Sequence, residues 1–302
     1  MASKGATLDM SRFFGTRKEK IGFCQDLLAD DIHTLFEITR AFFNLPHEEK
    51  VKVEHAPEAN PNRGCSYVGQ ENVANISGHE KGVGPGTTRD IKETLDMGCP
   101  DDSLVDNLWL LEEGLPGFRS FMESFYSKAF QTELNILSAL AITLGISEEH
   151  LRLLYCRAEN EFRLLHYPAI PASELSDGFA TRIAEHTDFD TSTMLFQDSV
   201  GGLQVEDQTQ PGVFHDVESS ACTDIILNIG DSLQRLTNDT FKAACHRVTY
   251  PPTVKANGDE IIPERYSIAY FAKPNRNAPL LPLTEFITDE TLCKYDSITA
   301  WE

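Results

Sequence analysis

Residues 182–198, RIAEHTDFDTSTMLFQD, decide the fold that we expect for this chain. Apolar and polar residues alternate there in two short runs, which is typical of half-buried β-strands. Similar runs, with turn residues between them, recur through the second half of the chain at residues 162–170, 202–207, 223–231, 246–250 and 265–271. Many short strands of this kind predict a β-sandwich or a β-barrel.

The first half of the chain has a helical pattern. Apolar residues recur close to the 3.6-residue helical period from Gln25 to Phe43, and again from Gly117 to Leu144. We therefore expect a mainly helical N-terminal region over residues 1–150 and a jelly-roll domain over residues 151–302, which ends in a C-terminal helix from Thr284 to Ala300. The expected fold class is α+β, with a double-stranded β-helix (jelly roll) core.

Composition and charge limit the classes of partner. The 302 residues include 26 basic and 47 acidic ones, for a formal net charge of −21. Such an acidic protein repels nucleic-acid phosphates and anionic lipids, so we expect a small-molecule substrate and neither a nucleic-acid nor a membrane partner. The seven cysteines are widely spaced, and no secretory signal or membrane-length apolar run is visible. These features predict a cytoplasmic protein and leave its oligomeric state open.

Two histidines and one aspartate form a candidate metal site. Residues two apart in a strand point to the same side, so His186 and Asp188 project together. An H-x-D triplet also arises by chance and then makes only a structural hydrogen bond. His246, in a later predicted strand, would supply a third ligand once the strands close into a barrel. Two imidazoles and one carboxylate make the facial triad of non-haem iron oxygenases, which leaves positions open for a chelating cosubstrate and O2.

A second motif, Arg265-Tyr266-Ser267, is a candidate carboxylate site. Strand alternation places Arg265 and Ser267 on one side, where a guanidinium fork and a hydroxyl suit a carboxylate. The alternative is a surface arginine on a strand. The surrounding sequence RYSIAYF is otherwise apolar. Because an unpaired buried charge is costly, this favours a ligand-binding role for Arg265.

The order H-T-D, H-R-V and R-Y-S resembles the Fe(II)/2-oxoglutarate-dependent dioxygenases, specifically the isopenicillin N synthase-like branch. Other segments carry the same resemblance over nearly the whole chain: FFNLPHEEK at 42–50, DIKETLDMG at 90–98, HYP at 166–168, GLQV at 202–205 and NIGD at 228–231. Three features depart from the family pattern. A strand usually present after Phe23 looks deleted or replaced, and Leu165 stands where the family has asparagine. The gap from His246 to Arg265 is longer than usual, and its extra residues predict an extended hairpin with its turn at Asn257-Gly258.

The resemblance implies a cofactor set and a role for each motif residue. The three triad residues would bind Fe(II) and carry the catalysis. Arg265 and Ser267 would bind the distal carboxylate of 2-oxoglutarate, and the hydroxyl of Tyr167 would add a hydrogen bond to it. With O2, such an enzyme oxidises a C–H bond of a small organic substrate, in hydroxylation, desaturation, ring closure or ring expansion, and this resemblance points to specialised metabolism.

Two residues are candidate substrate contacts. Alternation back from His186 places Arg182 on the same side, where it would hold an anionic or carbonyl-bearing substrate, or else form a salt bridge with one of the many acidic residues. Phe271 continues the side of Arg265 and would line the substrate pocket, or else pack in the core. One further resemblance is to the dioxygenases that expand a hydroxymethyl cyclohexadienone to a tropolone, a substrate that a cationic Arg182 would suit.

Two alternative functions stay open at the level of sequence. An oxidase of the isopenicillin N synthase type needs no 2-oxoglutarate, and its Arg265 and Ser267 would hold the carboxylate of the substrate. A non-catalytic small-molecule binding protein on the same scaffold is of a different class. The intact triad argues against it, because a binding protein has no need of three metal ligands with open positions beside them.

Overall fold

The computed structural model describes residues 29–56, 62–71, 89–176, 180–254 and 260–302. Its α-helices are α1 (Ala29–Phe43), α2 (His47–Lys50), α3 (Phe118–Leu144), α4 (Glu148–Leu153), α5 (Ser173–Ser176) and α6 (Asp231–Leu236). Short 3-10 helices cover Val51–Val53 and Thr284–Phe286. Among the described residues, none of these helices combines the length and the apolar character that crossing a membrane requires.

The two long predicted helices are confirmed. Helix α1 occupies the described part of the predicted Gln25–Phe43 segment, and residues 25–28 lie outside the described residues. Helix α3 spans nearly all of the second segment and ends at Gly145, whose φ of +69° suits glycine. The Gly145 N–H donates to carbonyls of the last helical turn, which is the usual way in which such a helix ends.

Most of the strands form two antiparallel sheets. The six-stranded sheet has the order β1-β3-β4-β14-β8-β11, and the four-stranded sheet has the order β10-β9-β12-β7. The strands of the first are β1 (Gly64–Ser66), β3 (Glu93–Gly98), β4 (Glu161–Tyr167), β8 (Ser192–Gln197), β11 (Ile226–Ile229) and β14 (Arg265–Ala272). Those of the second are β7 (Ile183–His186), β9 (Leu203–Glu206), β10 (Phe214–Asp216) and β12 (His246–Val248).

Four shorter strands make two small pairs beside these sheets. Strand β2 (Arg89–Asp90) runs parallel to β6 (Ala180–Thr181), and β5 (Ile170–Pro171) runs antiparallel to β13 (Ile261–Ile262). The hairpin predicted at Asn257-Gly258 lies outside the described residues.

The two large sheets pack against each other, and the helices cover the other side of the six-stranded sheet. Between the sheets lies one apolar cluster: Leu165, Tyr167 and Ala269 from the first sheet, with Ile183, Leu203 and Val248 from the second. Alternate residues of β4, β8 and β14 join a second, larger cluster with the buried faces of α1 and α3: Phe162, Leu164, Met194, Phe196, Tyr266, Ile268 and Tyr270. This arrangement confirms the α+β class and the jelly-roll core.

Residues before 150 also contribute to the jelly roll. Strand β3 pairs with β4 along its whole length, from Glu93↔His166 to Gly98↔Glu161, and β1 pairs with β3. The six-stranded sheet therefore includes two strands from the half that we expected to be mainly helical. The division of the chain at residue 150 stays a prediction.

The predicted C-terminal helix is wrong. Only Thr284–Phe286 forms a short 3-10 helix, and residues 287–300 follow an irregular path. Their backbone groups pair with distant segments, as in the bonds from Leu280 N–H to the Ile298 carbonyl and from Ala300 N–H to the Ala278 carbonyl. The Thr288 hydroxyl accepts from the Thr291 N–H and so closes a local turn. Threonine and serine offer the backbone such alternatives, which lowers their preference for helix interiors.

A buried carboxyl lies where α3 meets the six-stranded sheet. The Glu133 Oε2 accepts hydrogen bonds from the Asn160 Nδ2 at 2.5 Å and from the Tyr270 hydroxyl at 3.1 Å, whereas its Oε1 has no partner. Burial raises the pKa of Glu133 well above its usual value, and the bonds from Tyr270 and Asn160 offset only part of that effect. Burial therefore favours the neutral, protonated form of Glu133 in the folded protein.

Replacing Glu133 with Gln is expected to stabilise the protein at neutral and alkaline pH. Because the pKa of Glu133 is raised in the folded protein, protonation of this carboxyl favours the folded state. That contribution to the free energy of unfolding is fully present below the ordinary pKa of 4.5, and it is lost as the pH rises through the folded pKa. The loss amounts to at most about 1.4 kcal/mol per pH unit. A glutamine does not ionise. Denaturant unfolding of both proteins between about pH 5 and pH 9 checks this, and parallel stability curves would contradict it.

Candidate active site

Neighbouring strands of the smaller sheet bring the two predicted histidines together. In the antiparallel register of β7 and β12, His186 lies directly opposite His246. Their ring centroids are 4.2 Å apart. Asp188 follows two residues after His186, just beyond the end of β7, and its side chain turns back towards both rings. The sequence separation of sixty residues is therefore closed by the pairing of two short strands.

The three side chains present their ligand atoms to one point. The Nε2 atoms of His186 and His246 lie 3.7 and 3.8 Å from the Asp188 Oδ1, and all three ligand atoms lie within 4.8 Å of one another. Asp188 is buried, and the two histidines are partly buried. Two imidazole nitrogens and one carboxylate oxygen suit Fe(II) in chemical character, so this donor set fits the metal that the sequence predicts.

Backbone carbonyls orient both imidazole rings. The His186 Nδ1 lies 2.9 Å from the Ala184 carbonyl oxygen, and the His246 Nδ1 lies 2.8 Å from that of Ala244. Because a carbonyl oxygen can only accept, each Nδ1 carries the hydrogen and donates it. Each Nε2 then carries its lone pair on the side of the common point, which is the tautomer that metal binding requires.

Two polar side chains hold the far oxygen of Asp188. Its Oδ2 accepts from the Thr193 hydroxyl at 2.5 Å and from the Asn228 Nδ2 at 2.8 Å, which leaves Oδ1 facing the histidines. Burial favours the neutral acid, but His246, His186 and these two hydrogen bonds outweigh it and lower the pKa of Asp188. The carboxylate is therefore ionised. The sequence analysis noted Asn228 only as part of the NIGD motif and missed Thr193.

Thr193 also links Asp188 to a second buried acid. Its hydroxyl lies 2.9 Å from the Asp190 Oδ2. A hydroxyl has a single hydrogen. Since that hydrogen goes to Asp188, the contact with Asp190 is satisfied only if Asp190 is the donor. Burial, and next the charge of Asp188, raise the pKa of Asp190 well above its usual value, in agreement with a protonated acid at that position.

The predicted carboxylate motif lies at the start of β14. The Arg265 Nη1 donates to the Ser267 hydroxyl at 3.1 Å, which confirms that the two side chains share one side of the strand. The Nη2 donates to the Gln197 Oε1 at 2.9 Å, a partner that the sequence analysis missed. The guanidinium also lies over the ring of Tyr167, 4.8 Å from its centroid. Arg265 is fully buried, so it is not a surface arginine.

The two candidate substrate contacts occupy different surroundings. Arg182 is fully buried, and its Nη2 donates to the Pro263 carbonyl oxygen at 2.5 Å and more weakly to that of Pro168 at 3.4 Å. Within the described ranges it forms no salt bridge, so that sequence alternative has no counterpart there. Phe271 is partly buried and packs against the apolar cluster between the sheets. Its predicted contact with substrate stays a prediction.

Comparison with known families agrees with this geometry. The model for the 2OG-Fe(II) oxygenase superfamily matches residues 147–274, and the model for the N-terminal region of non-haem dioxygenases in morphine synthesis matches residues 24–112. The first match contains His186, Asp188, His246 and the Arg265 motif.

Relatives of known name match over most of the chain. The 2-oxoglutarate-Fe(II) type oxidoreductase ppzD of Metarhizium rileyi is 41% identical over 98% of this chain and 88% of its own length. Proline hydroxylase buaE of Petromyces alliaceus is 45% identical over 89% of this chain and 81% of its own length.

A solved structure supports the same relationship. The crystal structure of full-length T7H from Neurospora crassa with alpha-KG (2-oxoglutarate) superimposes with a TM-score of 0.78 at 35% identity, over 91% of this chain and 80% of that one. The same protein with alpha-KG and thymine gives a TM-score of 0.76. The chain belongs to the 2OG-Fe(II) oxygenase superfamily, and it is a non-haem Fe(II)- and 2-oxoglutarate-dependent dioxygenase.

Proposed function

We propose that His186, Asp188 and His246 bind the catalytic Fe(II). The observation that carries this assignment is the convergence of one carboxylate oxygen and two unprotonated imidazole nitrogens within 4.8 Å. These three protein ligands would leave positions on the ion open for the cosubstrate and O2. Bound Fe(II) supplies the activation of O2, which protein side chains cannot perform by themselves.

We further propose that Arg265 and Ser267 bind the distal carboxylate of 2-oxoglutarate. Arg265 is fully buried, and no carboxylate of the described residues pairs with it, so an anionic ligand would supply the missing counter-charge. The hydroxyl of Ser267 is held beside the guanidinium and can turn to donate to the same carboxylate. Tyr167 packs on Arg265 and would add a hydroxyl at this end of the cosubstrate.

Several residues of the chain then have defined supporting roles. The carbonyls of Ala184 and Ala244 keep the two histidines in the metal-binding tautomer. Thr193 and Asn228 fix the orientation of the Asp188 carboxylate, so that one oxygen stays available to the metal. Such outer hydrogen bonds change metal affinity by about 10- to 100-fold in other sites of this kind.

We propose L-proline as the first substrate to test, with hydroxylation of a ring C–H bond as the reaction. A relative named proline hydroxylase, 45% identical over 89% of the chain, supports this choice. Thymine is the second compound to test, because it is the molecule bound in the T7H complex. Phe271 would line the substrate pocket with its apolar ring. Desaturation, ring closure and ring expansion to a tropolone stay predictions, as does location in the cytoplasm.

The test is an anaerobic titration followed by exposure to O2. Fe(II)-loaded protein titrated with 2-oxoglutarate should develop a weak visible charge-transfer band that saturates with cosubstrate. On admission of O2 with L-proline, the products should be succinate, CO2 and a proline heavier by one oxygen atom. Bound iron without a band or succinate would favour the 2-oxoglutarate-independent oxidase, and failure to bind iron would favour the binding protein. A charge-transfer band without any oxidised proline would overturn only the choice of L-proline as the substrate.

A further inference from the structure

Two buried arginines flank one tyrosine beside the proposed cosubstrate site. Arg182 and Arg265 are both fully buried, and their guanidinium carbons lie 5.7 and 4.8 Å from the centroid of the Tyr167 ring. Tyr167 and Arg265 are direct partners in the pairing of β4 with β14. Arg182 comes from a separate segment, between β6 and β7. Two cationic groups are therefore packed around a single aromatic side chain.

Neither guanidinium forms a salt bridge in the described part of the chain, although the Asp198 carboxylate acts on the charge of Arg182 from a longer distance. No aspartate or glutamate oxygen of the described residues lies within 4.0 Å of Arg182 or Arg265. By contrast, the partly buried Arg163 pairs with Asp96 at 2.6 Å and with Glu71 at 3.2 Å. Burial of an unpaired charge is costly, and buried charges in proteins are usually neutralised. The pair around Tyr167 is therefore suited to an anionic ligand.

The N–H donors that lack an acceptor on the two guanidinium groups lead to the same conclusion. The Nε and Nη1 of Arg182 and the Nε of Arg265 are buried nitrogens without an acceptor. An arginine carries five N–H donors and no acceptor, so these nitrogens suit a ligand rich in oxygen lone pairs. A carboxylate has about four such lone-pair sites on two oxygens, and can accept from two guanidinium groups together.

The anchoring of Arg182 places it at the cosubstrate end of the site. Its Nη2 is held by the carbonyl oxygens of Pro168 and Pro263. Pro168 directly follows Tyr167, and Pro263 precedes Arg265 by two residues. The guanidinium is thereby tied to the chain on both sides of the Tyr167–Arg265 pair. These bonds use backbone oxygens, which orient the group but do not neutralise its charge.

We propose that Arg182 is a second cationic anchor for 2-oxoglutarate, which shares the distal carboxylate with Arg265. The proposal rests on the function proposed above, in which Arg265 binds that carboxylate. It gives Arg182 a role towards the cosubstrate, in place of the substrate contact that the sequence suggests. A dianionic cosubstrate would then be recognised by metal at one end and by two guanidinium groups at the other.

The charge of one arginine already affects the other. Burial, and next the nearby charge of Arg265, lower the pKa of Arg182 to about 10. Arg182 therefore stays protonated at neutral pH, and the two positive charges repel each other. A bound carboxylate would convert this repulsion into two favourable charge-assisted contacts.

The experiment compares two 2-oxo acids that differ in the distal carboxylate. Anaerobic Fe(II)-loaded wild type, Arg182→Gln and Arg265→Gln are titrated with 2-oxoglutarate and with 2-oxopentanoate, which has the same chain length but lacks that carboxylate. We expect Arg182→Gln to weaken 2-oxoglutarate binding by about 10-fold or more, as for the loss of one charge-assisted contact. We expect 2-oxopentanoate binding to change by less than about 2-fold, because Arg182 has no partner on that ligand.

The other outcomes separate this inference from the proposed function. Unchanged 2-oxoglutarate binding in Arg182→Gln, with weaker binding in Arg265→Gln, overturns the role of Arg182 and leaves that of Arg265 intact. Unchanged binding in both variants overturns both roles. Equal weakening of the two ligands in Arg182→Gln overturns the anchor, because it indicates a general effect on the site. If Arg182→Gln does not fold, Arg182→Lys is used: selective weakening of 2-oxoglutarate supports the anchor, and unchanged affinity overturns it.

Discussion

The His246→Ala variant is expected to lose turnover by at least about 10³-fold while it remains folded. Removal of one imidazole leaves His186 and Asp188 as the only protein ligands of the triad, and two ligands hold the metal too weakly and without a fixed orientation. Metal ions in such sites contribute several kcal/mol of transition-state stabilisation. At about 1.4 kcal/mol for each tenfold change in rate, the loss of that contribution gives the expected effect.

Succinate formation and iron content measure this effect together. The variant should retain little Fe(II) after gel filtration, whereas its thermal unfolding without metal should resemble that of metal-free wild type, because His246 is only partly buried. His215→Ala is the matched control. His215 lies on β10, its Nε2 is 3.1 Å from the Asp207 carboxylate, and it is no part of the triad. Wild-type turnover in His246→Ala would exclude His246 as a ligand.

The Arg265→Ala variant is expected to raise the Kd for 2-oxoglutarate by about 30-fold or more. Truncation of one member of a buried, hydrogen-bonded charge pair costs about 2 to 5 kcal/mol, and each 1.4 kcal/mol is about a tenfold change in affinity. The bonds that Arg265 makes to Ser267 and Gln197 are lost as well, so the remaining side chains are less well placed for a carboxylate. Arg265→Lys keeps the charge but not the planar fork, so its Kd for 2-oxoglutarate should lie between those of wild type and Arg265→Ala.

The charge-transfer titration of anaerobic Fe(II)-loaded protein gives the Kd directly. Arg119→Ala is the control, because Arg119 is a largely exposed residue that pairs with Glu123 on α3, far along the chain from the site. An unchanged Kd in Arg265→Ala would remove Arg265 from the cosubstrate site. That result would favour the oxidase alternative, in which Arg265 binds the carboxylate of the substrate.

Local sequence patterns were sufficient for the elements with regular periodicity. Helices α1 and α3 follow from apolar residues at a 3.6-residue spacing, because that spacing puts them all on one side of a helix. The alternation in residues 265–271 likewise defines β14, and it places Arg265 and Ser267 on one side. The candidate triad was named from the H-x-D spacing in a predicted strand and from the resemblance of the later H-R-V motif. In the structure β7 ends at His186, and Asp188 lies just beyond it.

Other features depended on contacts between distant segments. The acidic and apolar residues in segment 284–300 suggest a helix. In the structure, backbone groups of this segment instead pair with residues 278 and 280, at sequence separations much larger than the four residues of a helical hydrogen bond. Thr193 and Asn228 are ordinary strand residues in sequence, and they become supports of Asp188 only because β8 and β11 are neighbours. The contribution of β1 and β3 to the main sheet was hidden for the same reason, since strand pairing over long separations leaves no local period.

Local spacing predicts the jelly-roll class and the two long helices, because each depends on a period within single strands or helices, and motif resemblance names the candidate iron and cosubstrate residues. Folding is what brings the ligand atoms of His186, Asp188 and His246 within 4.8 Å of one another. Folding also buries Arg182 beside Tyr167 and Arg265, without a salt bridge among the described residues. Burial and charge balance arise from segments that meet only on folding, and a local pattern of residues carries no record of them.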